Sequence, residues 1–185
     1  MIHQVDLQRL LPVDDYPKDE CGVVAVYSPQ RDASRIAYIA LFALQHRGQE
    51  SAGIATTDGH GIRLSKNMGL VSQAFKEEDL ERLTGSMAIG HTRYSTTGSN
   101  IANNVQPFLV DGPHGRLALG HNGNIINALE LRTDLLEWGC NFQSSTDSEV
   151  IAHLLAQSPG KDWGERLASL RRIQGAYCLV VLTDD

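Results

Sequence analysis

The 185-residue chain carries 16 basic and 22 acidic side chains, a formal charge of −6, with 42% apolar and 6% aromatic residues. That apolar share is ample for a packed core, so disorder is excluded as the main state. The acidic balance, basic runs no longer than the pair Arg171 and Arg172, and an apolar stretch at 36–44 far short of the roughly 20 residues of a bilayer span argue against nucleic-acid and membrane partners. Residues 1–20 hold five acids and two bases, so their net charge of −3 is half the chain's total. Pro12 and Pro17 interrupt any helix there, and the basic start and apolar centre of a secretory signal are lacking. The segment reads as an exposed leader. From Cys21 the texture changes to CGVVAVYS, apolar on both alternating faces as in a sandwiched strand. Residues 33–47 place Ile36, Ile39, Ala40, Ala43 and Leu44 at helical spacing, predicting a buried helix that Gly48 ends.

Short strand candidates follow: GIATTDG, IRLSK, LVSQAF, MAIGHTRY, PFLVDG and RLALGHNG, with a brief acidic helix at 77–83 and a hairpin turn at Gly59-His60-Gly61. Past Asn127 the periodicity is helical again, around Leu129 to Leu136, Val150 to Leu155 and Leu167 to Ile173, before a last strand, AYCLVVLT. Strands flanked by helices without regular βαβ alternation predict an α+β protein whose helices cover its sheets.

Chemistry-bearing residues are few. Gly85 and Gly90 have the spacing of a phosphate loop, but His91 stands where the lysine should be and the insert SMAI reads as strand. Seven histidines show no HxxxH or HExxH spacing, so metal binding within this chain is not expected. His91 and His121 both follow an apolar run and a glycine; either they cap strand ends or they present side chains to a pocket. Three cysteines, an odd number without CxxC, give neither a disulfide framework nor a zinc ribbon, and a reducing cytoplasm is the expected compartment. Cys140 and Cys178 are predicted to be packed thiols. Cys21 differs, because it sits at the leader boundary. Cleavage after Glu20 would give it a free α-amine with a pKa of roughly 7.7–8.0, able to serve as a base. Acylated by Glu20, the same nitrogen is a delocalised amide and is not basic.

CGVVAVY after a short leader, LQHRGQESAGI at 44–54, GHTRYSTTGS at 90–99, GHNGNI at 120–125 and STDSEV at 145–150, with AYCLVVLT near the end, together resemble the glutaminase domain of the amidophosphoribosyltransferase family. The resemblance covers nearly all of the chain after the leader. Glucosamine-6-phosphate synthase and asparagine synthetase share the Cys-Gly and HNG elements, but QHRGQES, HTRYST and the leader resemble the purine enzyme more closely.

The resemblance implies a four-layer αββα sandwich of the N-terminal nucleophile hydrolase type. It implies Cys21 as nucleophile toward the glutamine side-chain amide, with Asn122 and the Gly123 backbone N–H as oxyanion hole. Arg93 would hold the substrate's α-carboxylate and Asp147 its α-ammonium, with Thr96 as a further contact and residues 93–104 as a loop over the substrate. Arg47 and Gly48 would support the nucleophile's strand. Read this way, the chain divides into a leader, 1–20, and an amidotransferase domain, 21–185, expected to be incomplete on its C-terminal side. A phosphoribosyltransferase domain, with its phosphoribosyl pyrophosphate and magnesium, is absent from these residues. The family further implies a homo-oligomer and, in one subgroup, a 4Fe–4S cluster whose ligands lie outside this sequence. The competing reading is a silent glutamine-binding domain.

Overall fold

The computed structural model describes residues 21–30, 32–94 and 102–184; the leader at 1–20 and Thr96, with most of the 93–104 loop, lie outside them. Two antiparallel sheets form the centre. The first holds β1 (Gly22–Tyr27), β2 (Ser51–Thr57), β3 (Ile62–Met68) and β4 (Met87–Arg93) in the order β1-β4-β2-β3. The second holds β5 (Phe108–Gly112), β6 (Gly115–Ile125) and β7 (Gly175–Thr183), with β6 in the middle.

Three apolar clusters correspond to three layer interfaces. α1 (Ala33–Ala43) covers the outside of the first sheet, where Ala33, Ala37 and Leu41 pack with Ala52, Ile54 and Ala88. Between the sheets lie Ala55, Ile89, Ala118 and Leu182. On the far side α4 (Ala128–Glu137) and α5 (Asp147–Ala156) bury Leu131, Leu135, Ile151 and Leu155 against Leu117 and Leu119 of β6. The stacking order is therefore helix, sheet, sheet, helix, the four-layer arrangement that the resemblance implies and one in which helices cover the sheets as the α+β reading expects. α6 (Trp163–Ala168) continues into a 3-10 turn, Ser169–Arg172, ahead of β7.

Three local expectations need correction. LVSQAF is not a strand but carries the short α2 (Val71–Ala74), followed by α3 (Glu77–Arg82). Val71 and Ala74, three apart, are the buried pair, and the Gln45 side chain accepts a hydrogen bond from Val71 N–H at 3.0 Å, so helical spacing wins over β propensity. α1 is buried on one side only: Ile36, Ile39 and Phe42 are exposed, and the helix gives way to a 3-10 turn at Gln45–Arg47. β1 does lie between α1 and the second sheet, but as an edge strand, and Tyr27 at its end is open to solvent. Cys178 is exposed because the first residues of β7 lie at a sheet edge beyond the inter-sheet core; Cys140 is buried.

Strand alternation decides which side chains meet. Gly120 of β6 faces His91 and the Gly90 carbonyl of β4, so Ala118, Gly120 and Asn122 share the face turned to the first sheet. On the opposing side, Ile89, His91 and Arg93 share a face of β4, and the register pairs Ala25 with Ile89 and Val23 with His91. Cys21, two residues before Val23, continues that row to the end of the sandwich.

Candidate functional site

At that end a cleft is lined by Cys21, Arg93, Tyr94, Gln106, His121, Gly123, Thr146, Asp147 and Ser148. Its volume is about 30 Å³, a narrow space between the described walls. Cys21 Sγ donates to the Tyr94 carbonyl at 3.5 Å, and Tyr94 N–H points back at the sulfur over the same distance. Burial pushes the thiol above its ordinary pKa, against the opposing pull of the Tyr94 N–H and the Arg93 guanidinium. A thiol in this state needs a base to become a nucleophile.

Arg93 ends β4 with its side chain almost wholly buried, and its Nη1 lies 3.6 Å from Glu50 Oε2. Glu50 is fixed by its backbone: its N–H donates to the Arg93 carbonyl at 3.1 Å and its carbonyl accepts from Gly69 N–H at 2.7 Å. A buried guanidinium keeps its charge only where such partners offset lost hydration. Its planar fork suits a carboxylate.

Asp147 comes from the second layer pair. It is the first residue of α5, whose N-cap, Thr146, accepts from Glu149 N–H through its side chain. Asp147 Oδ2 accepts from Ile125 N–H at 3.1 Å, which ties the helix start to the end of β6. Gly123 on that strand has φ +139°, and a Cβ there would lie 2.2 Å from the Ala176 carbonyl oxygen of β7. Only glycine fits so near the neighbouring strand in that conformation. Asn122 is half-buried beside it, paired with Cys178 across the β6–β7 ladder, and its side chain is not part of the described cleft wall.

The structure thus brings together Cys21, Arg93, Gly123 and Asp147 from four parts of the chain. Arg47 and Gly48 lie outside the cleft. Gly48 presses on the backbone of Thr92 and Arg93, where a Cβ would come within 2.6 Å of the Thr92 carbonyl carbon, and Thr92 pairs with Gly22 beside Cys21. Arg47 ends the 3-10 turn before it.

Tyr94, Gln106, Thr146 and Ser148 were not singled out individually from the sequence. Tyr94 belongs to the motif GHTRYSTTGS and Thr146 and Ser148 to STDSEV, whereas Gln106, ahead of Pro107, carries no sequence signal. His91 is an interior group, whereas His121 on the facing strand is a buried part of the cleft wall; His91 Nε2–H donates to the His121 carbonyl at 3.1 Å. Burial depresses both histidines, His91 to about 3. Among the described residues no group of three or more His, Cys, Asp or Glu side chains is arranged to hold a metal ion. No described helix is long and apolar enough to cross a membrane.

Residues 91–185 match the pattern of the glutamine amidotransferase domain family. The amidophosphoribosyltransferase of Synechococcus elongatus is 49% identical over 174 residues, covering 92% of this chain and 35% of the relative. That of Methanothermobacter thermautotrophicus is 49% identical over 175 residues, covering 89% and 36%. Among solved structures, the glutamine phosphoribosylpyrophosphate amidotransferase from B. subtilis, complexed with ADP and GMP, superposes with a TM-score of 0.78 at 40% identity, over 88% of this chain and 35% of that one. The chain spans about a third of the length of the curated relatives it matches.

Proposed function

The chain belongs to the glutamine amidotransferase domain family, and on that premise we propose that it hydrolyses L-glutamine at Cys21 and releases ammonia for a phosphoribosyl pyrophosphate-dependent transfer. In the whole protein that transfer would make phosphoribosylamine, the entry to purine synthesis, with any magnesium or iron–sulfur cluster held by residues other than the described ones. The observation that carries the reading is the single cleft joining Cys21 to Arg93, Gly123 and Asp147.

Removal of residues 1–20 frees the Cys21 α-amine, which takes the thiol proton as sulfur adds to the side-chain carboxamide carbon. The new C–O⁻ is met by the Gly123 N–H and the Asn122 amide, donors that stabilise charge without transferring protons. The α-ammonium then returns its proton to the leaving nitrogen, the C–N bond breaks, and ammonia departs from a thioester. Water, deprotonated by the same amine, attacks the thioester, and glutamate leaves as the thiol regains its proton. Arg93 binds the α-carboxylate and Asp147 the α-ammonium, so both ends of the zwitterion are read, with Thr96 as a further contact.

A glutamine analogue bearing an electrophilic ketone tests this. The chain beginning at Cys21 should gain one adduct by intact mass, and its Cys21→Ala variant none. Equal labelling of the two would overturn the nucleophile, and binding without any turnover would favour a silent glutamine-binding domain.

A further inference from the structure

Gln106 occupies the joint between strand β6 and helix α5, 4% exposed, with every polar atom of its side chain engaged. Its Oε1 accepts from His121 N–H at 2.7 Å. A backbone N–H can only donate, so this contact settles which end of the amide is oxygen. The Nε2 group must then donate, to Ser148 Oγ at 3.1 Å and to the His121 carbonyl at 3.4 Å.

The remaining directions follow from the inventory of donors. Ser148 has one hydroxyl proton and two near acceptors, Asp147 Oδ1 at 3.4 Å and His121 Nδ1 at 2.9 Å. If the proton went to His121 Nδ1, the neutral ring would carry its own proton on Nε2, which is buried and has no hydrogen-bond partner among the described residues. An orphaned buried N–H is rarer than an orphaned lone pair. The consistent assignment puts the imidazole proton on Nδ1, donating to Ser148, and sends the Ser148 hydroxyl to Asp147. Ser148 then accepts from Gln106 and His121 and donates once, with its capacity filled. Asp147 receives Ser148 O–H on one oxygen and Ile125 N–H on the other, the arrangement of a carboxylate.

We propose that Gln106 is a positioning residue for recognition of the substrate's α-ammonium: its amide fixes the polarity of the His121–Ser148–Asp147 chain so that Asp147 faces the cleft as an oriented carboxylate. The proposal rests on the glutaminase reading, and specifically on the ammonium meeting Asp147. The device reaches across the fold, because Gln106 is 15 residues from His121 and 42 from Ser148.

Gln106→Glu keeps shape and the acceptor for His121 N–H but replaces the donor to Ser148 with a second acceptor. The Ser148 hydroxyl then turns to the new carboxylate and leaves Asp147. The test compares two substrates for the chain beginning at Cys21: L-glutamine, and glutaramic acid, which has the same amide and carboxylate but no α-ammonium. For Gln106→Glu, KM for L-glutamine should rise about tenfold, the scale of one charge-assisted hydrogen bond, with kcat nearly unchanged. kcat/KM for glutaramic acid should stay at the parent value. Ser148→Ala should reproduce this split, giving a second measurement should Gln106→Glu fail to fold. Equal losses on both substrates would reduce Gln106 to a structural role and overturn the proposal. Absence of glutamine turnover by the parent chain would instead overturn the glutaminase reading, and the proposal with it.

Discussion

Cys21 directly precedes β1 and Cys178 sits on β7, in the two facing sheets, yet burial separates their chemistry. Cys21 is partly covered and its thiol is raised by desolvation; Cys140 is buried and raised for the same reason; Cys178 is exposed. Because the thiolate is the reactive form, iodoacetamide at pH 8 should alkylate the chain with its leader first at Cys178, with Cys21 and Cys140 lagging. Peptide mass spectrometry after timed quenching reads the order, and alkylation of Cys21 ahead of Cys178 would contradict the burial argument. At Gly123 the backbone and not the side chain is at stake. Gly123→Ala forces a Cβ against the Ala176 carbonyl at φ +139°, so thermal unfolding should move down by an amount equivalent to about 1–3 kcal/mol, with glutaminase activity lost. An unchanged melting curve would contradict that geometry. At this scale the motifs were informative in part: Cys21, Arg93, Gly123 and Asp147 converge on one cleft, while Asn122, Arg47 and Gly48, from the same motifs, are not among its lining residues. Gln106 was illegible because its meaning comes entirely from partners distant in sequence.

Helix α5 shows how an element carries a site residue. Its start reads Thr146-Asp147-Ser148-Glu149, an N-cap followed three residues later by glutamate, the pattern of a capping box. Here Thr146 satisfies Glu149 N–H, while the Glu149 carboxylate reaches back to Gln143 N–H at 2.8 Å and to Ser144 N–H at 2.7 Å. The cap therefore sets both where the helix begins and where Asp147 points. Thr146→Ala should cost about 1 kcal/mol in urea unfolding, with Thr146→Ser restoring it. The same pair should raise and restore KM for L-glutamine, because the helix start that frays is the one bearing Asp147; a stability loss with unchanged KM would uncouple cap and site. Periodicity alone pointed to helix from Val150, and the cap signal just before it would have moved the start to Asp147. LVSQAF misled for the opposite reason, since its β-branched and aromatic residues outweighed a single i,i+3 pair whose burial depends on α1. The exposure of Cys178 was equally hidden, because edge position is a property of sheet order and not of the strand's own residues.

Across the whole molecule, the two central strands β4 and β6 meet through polar groups at the cleft end of an otherwise apolar interface. His91 lies fully buried there, and desolvation holds its pKa near 3 against an ordinary value of 6.5. His121 and His153 are depressed by the same cause. Below about pH 6.5 an unfolded chain binds protons at these rings that the native fold refuses, so unfolding gains free energy as pH falls, while above that value neither state is charged and the contribution is complete. Each refused proton costs about 1.4 kcal/mol per pH unit. For His91 the loss runs from about 6.5 down towards 3, so it acts throughout the range where most carboxylates are still ionised. Urea unfolding measured from pH 8 to pH 5 should give a free energy that is nearly level above about 7.5 and then declines with a slope that approaches about 1.4 kcal/mol per unit below about 5.5 from His91 alone, steeper to the extent that His121 and His153 contribute. Proton uptake on unfolding at pH 5.5, followed calorimetrically in two buffers, should be close to one or more per chain. A level stability curve down to pH 5 would mean that His91 is protonated in the native state. The His91-to-His121 contact joining the two sheets would then be of a different kind, since the imidazolium would have to find an acceptor for the Nδ1 nitrogen that now has no partner among the described residues.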